Sequence, residues 1–233
     1  MKSKKNQQPD VFRRLYGHRS VRLTKVKDQA PLVIVIAFEA MDQPLLEECR
    51  KQQTKEFNLL TISSLHWDEE LSPWPSRPIV MKDDHFTGEA NALLSLIEKE
   101  ILPWTYTCLE TKPDSVILCG YSMGGLFSLY SMYNSVSFDK CGCISGSVWY
   151  PNFHEYCLSH KFRRKPQAIY FSLGDKETKV SNPYLQRTGL IMDNLAFLYE
   201  KEGIESTFVW NQGNHFVDAL YRMAIGIRWL LNH

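Results

Sequence analysis

Residues 120–124 read Gly-Tyr-Ser-Met-Gly, in which a serine has glycine two positions away on either side. An apolar run, residues 116–119, precedes this motif, and a segment of helical character, residues 125–130, follows it. A serine on such a strand-to-helix turn is strained so that its hydroxyl projects freely, and a Cβ on either glycine would clash. The motif therefore predicts Ser122 as a nucleophile, although a tight turn with a buried serine would share the pattern. Because the following helix would direct its first amides at a developing oxyanion, the Met123 amide is a predicted oxyanion-hole donor.

A serine hydroxyl needs a general base, and that base needs a carboxylate to orient it. On this kind of turn the partners follow in the order serine, acid, histidine, each in the loop after a later strand. His215 follows the strand predicted at residues 206–210, and Gly213 and Asn214 before it allow a sharp bend. We predict His215 as the general base. The alternative is a histidine that caps a helix or lies in the core.

Two acids follow the strand predicted at residues 168–173, and either could reach His215. Asp175 stands directly after Gly174, where a short side chain favours capping the turn by accepting hydrogen bonds from nearby amides. Glu177 lies further along the loop and has one more methylene, so we predict it as the orienting acid. Both acids alternate with lysines, and a solvated charge cluster is the alternative.

Apolar runs alternate with helical patterns along the chain. Residues 32–37 are apolar throughout, as expected for a strand buried on both faces of a sheet, and residues 88–102 carry apolar side chains at helical spacing. This alternation is typical of a mostly parallel sheet covered by helices on both faces, so the predicted class is α/β. We expect a flexible tail over residues 1–17 and a single domain over residues 18–233.

Composition excludes several classes of protein. The chain has 233 residues and a net charge of +1, so nothing indicates a nucleic-acid partner. It has no apolar run long enough to cross a bilayer, and its lysine-rich start lacks the apolar core of a secretory signal. We therefore expect no membrane association and a cytoplasmic location. The histidines and the six cysteines lack the spacing of a metal site, so no metal is expected.

A resemblance to a known family rests on five segments of the chain. These are residues 120–125, 144–150, 172–177 and 213–215, and the Ser-Pro-Trp-Pro run at 72–75. On these segments the chain resembles the putative esterases of the α/β-hydrolase superfamily, the esterase-D-like family, and is nearest to its siderophore-esterase-like branch. The resemblance implies an α/β-hydrolase fold, with Ser122 as nucleophile, His215 as base and a carboxylate from the 175–177 loop. It implies no cofactor and no metal, and the brevity of the chain predicts no separate lid domain.

The second oxyanion-hole donor and the substrate walls are harder to assign. Many members of the family carry a His-Gly pair after the first core strand, whereas residues 38–41 here read Phe-Glu-Ala-Met. We assign the donor to the Glu39 amide, whose carboxylate would have to point away from the oxyanion, and leave open which amide of this stretch serves. Trp74 and Trp149 are predicted as apolar walls for the substrate. For Trp74 the alternative is packing of its loop onto the body of the protein.

These residues predict a serine carboxylesterase that cleaves a small-molecule ester through an acyl-enzyme. An acyltransferase would use the same triad, with an acceptor alcohol in place of water. The third hypothesis is a catalytically silent hydrolase fold that acts as a binding protein, supported by the altered oxyanion segment. A homodimer is left open.

Overall fold

A computed structural model describes residues 9–233, which are built around a sheet of eight strands. The strands of the chain are β1 (Asp10–Tyr16), β2 (Arg19–Lys25), β3 (Leu32–Ile36), β4 (Asn58–Ser63), β5 (Pro75–Ser76), β6 (Phe86–Thr87), β7 (Val116–Tyr121), β8 (Lys140–Ile144), β9 (Ala168–Gly174) and β10 (Glu205–Asn211). The eight-stranded sheet has the order β1-β2-β4-β3-β7-β8-β9-β10, and β5 and β6 form a separate two-stranded pair. Strands β1, β2 and β4 pair antiparallel, and every pairing from β4 through β3 to β10 is parallel. The predicted α/β class with a mostly parallel sheet is confirmed.

Helices cover both faces of this sheet. They are α1 (Asp42–Lys51), α2 (Trp67–Leu71), α3 (Ala90–Leu96), α4 (Leu102–Leu109), α5 (Met123–Asn134), α6 (Phe153–Ser159), α7 (Pro183–Gln186), α8 (Thr188–Lys201) and α9 (Ala219–Asn232). A π-helical turn, Ile97–Ile101, joins α3 to α4. The long helix predicted from residue 88 is therefore continuous and contains one π-helical turn. Within residues 9–233, no helix is both long and apolar enough to cross a membrane.

The two faces of the sheet carry separate apolar cores. On β3, Leu32, Ile34 and Ile36 belong to one core, and Val33 and Val35 belong to the other. This alternation explains why the whole strand is apolar, since successive side chains point to opposite faces and both are buried. Helices α3, α4, α5 and α8 close the first core, and α1 and α9 close the second.

The N-terminal segment departs from the sequence prediction. Residues 10–16 form β1, the edge strand of the sheet, and pair along their full length with β2. The tail predicted over residues 1–17 is therefore wrong for this part, and its residues 1–8 lie outside the described range. The sequence does not reveal the strand because its side chains are mostly exposed on this antiparallel edge, where few apolar residues are needed.

The functional loops leave the sheet at one edge. Strands β3, β7, β8, β9 and β10 are parallel neighbours, so their carboxyl ends lie together, which is where open α/β sheets bind ligands. The loops that begin there contain residues 38–41, Ser122, 145–149, 175–177 and 212–215. Segments far apart in the sequence thus meet at one site.

Candidate active site

The turn between β7 and α5 holds Ser122 in a left-handed conformation, with φ +56° and ψ −124°. An added Cβ on Gly120 would overlap the carbonyl of Gly124, so the close approach predicted from the motif is real. The Ser122 amide donates to the Ile144 carbonyl, and the Ser122 carbonyl accepts from Gly125 at 3.0 Å. Strain of this kind persists only where surrounding hydrogen bonds fix the backbone, and it is concentrated at functional sites.

The hydroxyl of Ser122 faces a second serine. Its Oγ lies 3.4 Å from Oγ of Ser147, and the Ser147 amide donates to the Ser122 carbonyl at 3.0 Å. Among the described residues, Ser147 is the hydrogen-bond partner of this hydroxyl, and His215 lies along the same cavity without a hydrogen bond to it. Hydrogen bonds between catalytic groups are often long in the free enzyme and tighten in the substrate complex.

Glu177 is the acid that meets His215. Its Oε2 lies 2.7 Å from Nδ1 of His215, and its side chain is 8% exposed. Asp175 instead accepts a hydrogen bond from the Gly213 amide at 2.7 Å, the capping role expected of the shorter side chain. We call residues 175–177 the acid loop and residues 212–215 the histidine loop. The structure therefore brings Glu177 and His215 together, and Asp175 links the acid loop to the histidine loop.

The environment of Glu177 keeps it ionised. Burial raises the pKa of this carboxyl, but hydrogen bonding and charge from His215, the Gly174 amide and the Ser145 hydroxyl together hold the pKa below its ordinary value. An ionised carboxylate can only accept, so Nδ1 of His215 carries a proton and its Nε2 keeps a free lone pair. That tautomer is the one a general base requires.

Sequence reasoning missed Arg222, a fully buried arginine on α9. Its Nη1 donates to Glu177 Oε1 at 2.8 Å, to the Ser145 hydroxyl at 3.1 Å and to the Tyr121 hydroxyl at 3.1 Å. A signal was present, because this arginine interrupts the apolar face of the closing helix two turns before Leu230. A charge on a buried helical face is rare unless it is paired.

The same guanidinium holds the histidine loop. Arg222 Nη2 donates to the carbonyls of Gln212 and Asn214 at 3.0 and 2.9 Å. The Tyr121 hydroxyl donates to the His215 carbonyl at 2.7 Å. Contacts from the end of β7, from the acid loop and from α9 therefore converge on the loop that carries the histidine.

A cavity of about 630 Å³ opens at this edge of the sheet. Ser122, Met123, Glu177 and His215 all lie along it, and Trp149 forms part of its wall as predicted. Pockets that bind small molecules have volumes in this range. No three His, Cys, Asp or Glu side chains within residues 9–233 are grouped so as to bind a metal ion.

Two predicted site residues lie outside this cavity. Glu39 is exposed and does not line it, whereas its neighbour Phe38 does. The turn after β3 thus presents an apolar side chain to the cavity and leaves the Glu39 carboxylate in solvent, which is the condition that a donor role for its backbone amide requires. Met123, whose amide is the other predicted oxyanion-hole donor, stands at the first position of α5 and lines the cavity.

The structure corrects the prediction for Trp74, because this residue packs inside the protein instead of facing a substrate. Its indole nitrogen donates to the Pro151 carbonyl at 3.0 Å, and its ring lies among four aromatic rings. These are the rings of Tyr130, Tyr150, Phe153 and Tyr156. Trp67, from the same segment of the sequence, lines the cavity instead.

Comparison with known proteins finds a family and a curated relative that match this chain. The family described as "Putative esterase" matches residues 68–223. A curated relative, the uncharacterized protein YbbA of Bacillus subtilis (strain 168), is 28% identical over an alignment that covers 69% of this chain and 71% of the relative.

Solved structures of similar fold cover nearly the whole chain. The siderophore hydrolase EstA from Aspergillus nidulans aligns with a TM-score of 0.74 and 15% identity, over 100% of this chain and 97% of its own. An IroE-like serine hydrolase from Shewanella oneidensis aligns with a TM-score of 0.79 and 15% identity, over 96% and 80% of the two chains. The enterobactin and salmochelin hydrolase IroE has a TM-score of 0.67 at 16% identity, over 98% and 96%. At such identities the likeness shows a shared fold.

Proposed function

The chain belongs to the putative esterase family, and from that premise we propose that it hydrolyses carboxylic esters through an acyl-enzyme formed on Ser122. The observation that carries the proposal is the 2.7 Å contact between Glu177 and His215 beside the strained serine, in one cavity. Nucleophile, base and orienting acid are the three parts that this chemistry requires.

In the first half of the reaction, the Ser122 oxygen forms a bond to the ester carbonyl carbon while its proton passes to Nε2 of His215. The carbonyl π electrons move to the oxygen, which becomes an oxyanion. Glu177, ionised and hydrogen-bonded to Nδ1, stabilises the imidazolium that results. The oxyanion then collapses, the bond to the alcohol oxygen breaks, and His215 returns its proton to the departing alcohol.

In the second half, water attacks the acyl carbon and gives its proton to His215. Collapse of the new tetrahedral intermediate breaks the bond to the Ser122 oxygen, which takes the proton back, and the carboxylic acid leaves. The site returns to its starting state without a cofactor.

The oxyanion needs donors that are already in place. The Met123 amide is one, because it lies at the N-terminus of α5 beside the nucleophile and lines the cavity. For the second we propose a backbone amide of the turn after β3, either that of Phe38, which lines the cavity, or that of its neighbour Glu39. A backbone donor does not depend on the side chain, so the missing His-Gly pair does not remove the hole.

A fluorophosphonate probe tests the proposal, since it labels an activated serine covalently. We expect wild-type protein to be labelled and to hydrolyse p-nitrophenyl acetate, and Ser122→Ala to do neither. The alternative of a silent binding protein predicts no labelling of either form. Labelling of Ser122→Ala at the wild-type rate would place the nucleophile elsewhere.

A further inference from the structure

Five exposed apolar residues stand around the mouth of the cavity. We call them the apolar rim, and their exposed fractions are Phe38 72%, Val80 45%, Met81 62%, Val180 39% and Phe216 88%. All five also line the cavity. Single exposed apolar residues are ordinary on protein surfaces, but a contiguous group around one opening marks a binding site.

The walls below the rim are apolar as well. Trp67, Phe86, Trp149, Leu173 and Leu185 also line the cavity, and all five are less exposed than the rim residues. An apolar path thus runs from the nucleophile to the surface. The volume of about 630 Å³ corresponds to some twenty water-sized volumes, far more than an acetyl group fills.

The charges along the cavity do not suit an anion. Apart from the catalytic pair, the charged lining residues are Asp68, Asp84 and Lys176, and Lys176 is exposed. One Asp84 oxygen already accepts from the amides of residues 79–81. Burial raises the pKa of Asp68, and neighbouring carboxylates raise it further, so this side of the cavity disfavours added negative charge. Among the described residues, no arginine lines the cavity.

We infer that the substrate is an uncharged ester with a large apolar group, aliphatic or aryl, that lies along the cavity and reaches the apolar rim. The inference rests on the proposed hydrolysis at Ser122 and adds the class of ester. Transfer of apolar surface from water into such a cavity is favourable, whereas transfer of an unpaired carboxylate is costly.

Two matched series of esters test this class and locate the apolar group. One varies the acyl chain of p-nitrophenyl esters from acetate to octanoate, and the other varies the alcohol of acetate esters from ethyl to octyl, each corrected for its rate of alkaline hydrolysis. We expect kcat/KM to rise about threefold per methylene in one series, or about 10²-fold over four methylenes. The p-nitrophenyl monoester of adipic acid, a hexanoate-length acyl chain ending in a carboxylate, should react at least about tenfold more slowly than the hexanoate.

A rim variant with a matched control tests the surface itself. Met81→Ser removes a rim side chain, and Leu158→Ser removes a similarly exposed apolar side chain, 54% exposed, that does not line the cavity. We expect Met81→Ser to lower the ratio of octanoate to acetate kcat/KM about threefold or more, and Leu158→Ser to leave it unchanged.

The outcomes separate this inference from the proposed function. If Ser122 is labelled and acetate is hydrolysed, but both series are flat or the adipate monoester is preferred, the inference is wrong and the esterase stands. If no ester is hydrolysed and no label appears, the proposed function fails and the inference with it. If Met81→Ser lowers the mass measured by light scattering but not the ratio, the rim is an interface between copies of the chain, which also overturns the inference.

Discussion

Arg222 and Glu177 form an ion pair in the interior, with Nη1 of the arginine 2.8 Å from Oε1 of the glutamate. The other glutamate oxygen, Oε2, lies 2.7 Å from Nδ1 of His215. The two oxygens of the Glu177 carboxylate therefore have separate roles, since Oε1 binds the Arg222 guanidinium and Oε2 orients the imidazole of His215. Each group of the pair depends on the other, because a buried charge without its partner is strongly destabilising.

Replacing the nucleophile should abolish activity and leave the fold intact. We expect Ser122→Ala to lower kcat for an ester by about 10³-fold or more, because the acyl-enzyme cannot form. The melting temperature should stay close to that of the wild type, since alanine meets the same backbone strain at φ +56°. Wild-type turnover by the purified variant would contradict the assignment.

Substitution of the two acids of the 175–177 loop should lower kcat by very different factors. Glu177→Gln removes the charge that stabilises the imidazolium, and we expect kcat to fall by up to about 10⁴-fold. Asp175→Asn keeps an oxygen that accepts from the Gly213 amide, so we expect less than about a tenfold loss. The measurement is kcat for both variants with melting temperature as the control. A larger loss in Asp175→Asn at equal stability would reverse the roles.

Arg222 should act as a positioning residue for the site. Arg222→Met leaves the Glu177 carboxylate buried without its cation, and we expect a cost of about 3–5 kcal/mol in the free energy of unfolding. In the fraction that remains folded we expect kcat to fall about 10- to 100-fold with little change in KM, because the arginine does not line the cavity. Arg222→Lys keeps the charge and should recover part of kcat.

Because a folding defect alone would also lower total activity, the comparison for Arg222 uses kcat per site labelled by a fluorophosphonate. A purely structural role predicts that this quantity is the same in Arg222→Met and in the wild type. That result would remove Arg222 from the positioning of His215.

Stability should depend on pH through Glu177. Its pKa in the folded protein is below its ordinary value of 4.5, so the ionised form stabilises the fold. This contribution is present above about pH 4.5 and is lost as the pH falls through the folded-state pKa. We expect the difference in free energy of unfolding between wild type and Glu177→Gln to be largest near neutral pH and to shrink below about pH 4.5. Urea unfolding at pH 7, 5 and 4 measures it, and a difference that grows with acid would contradict it.

Most of the parallel sheet could be predicted from the sequence, since β3, β7 and β9 are largely apolar runs that are buried on both faces of the sheet. Ser122, His215 and Glu177 could also be predicted from the sequence. Strand order determines where the loops meet, and motif spacing determines which side chain each loop contributes. The edge strand β1 was not, because its exposed face carries no apolar signal.

The error over Trp74 has a physical cause, which is side-chain direction. Trp74 and Trp67 lie in one segment, but only the packing of four neighbouring rings decides that Trp74 turns inward. Arg222 was overlooked because its side-chain partners, Tyr121, Ser145 and Glu177, come from three distant segments, which sequence spacing does not connect.

Every residue of the histidine loop, residues 212–215, makes a backbone hydrogen bond to a side chain outside the loop. Arg222 holds two of its carbonyls, Tyr121 holds a third, and Asp175 accepts from its one glycine amide. Movement of this loop requires these hydrogen bonds to break together. We therefore expect the loop to open in slow cooperative events and not in nanosecond fluctuations. Hydrogen exchange at the Gly213 amide should report the same slow process.

The segment of residues 79–84, part of which lines the cavity, is held differently. Three of its amides donate to the carboxylate of Asp84 within the same segment, and Asn182 donates to the Ile79 carbonyl from outside it. Displacing this segment as a unit therefore breaks fewer side-chain hydrogen bonds to the rest of the protein than displacing the histidine loop. The cavity thus has walls of unequal firmness, and the wall that carries His215 is the firmer one.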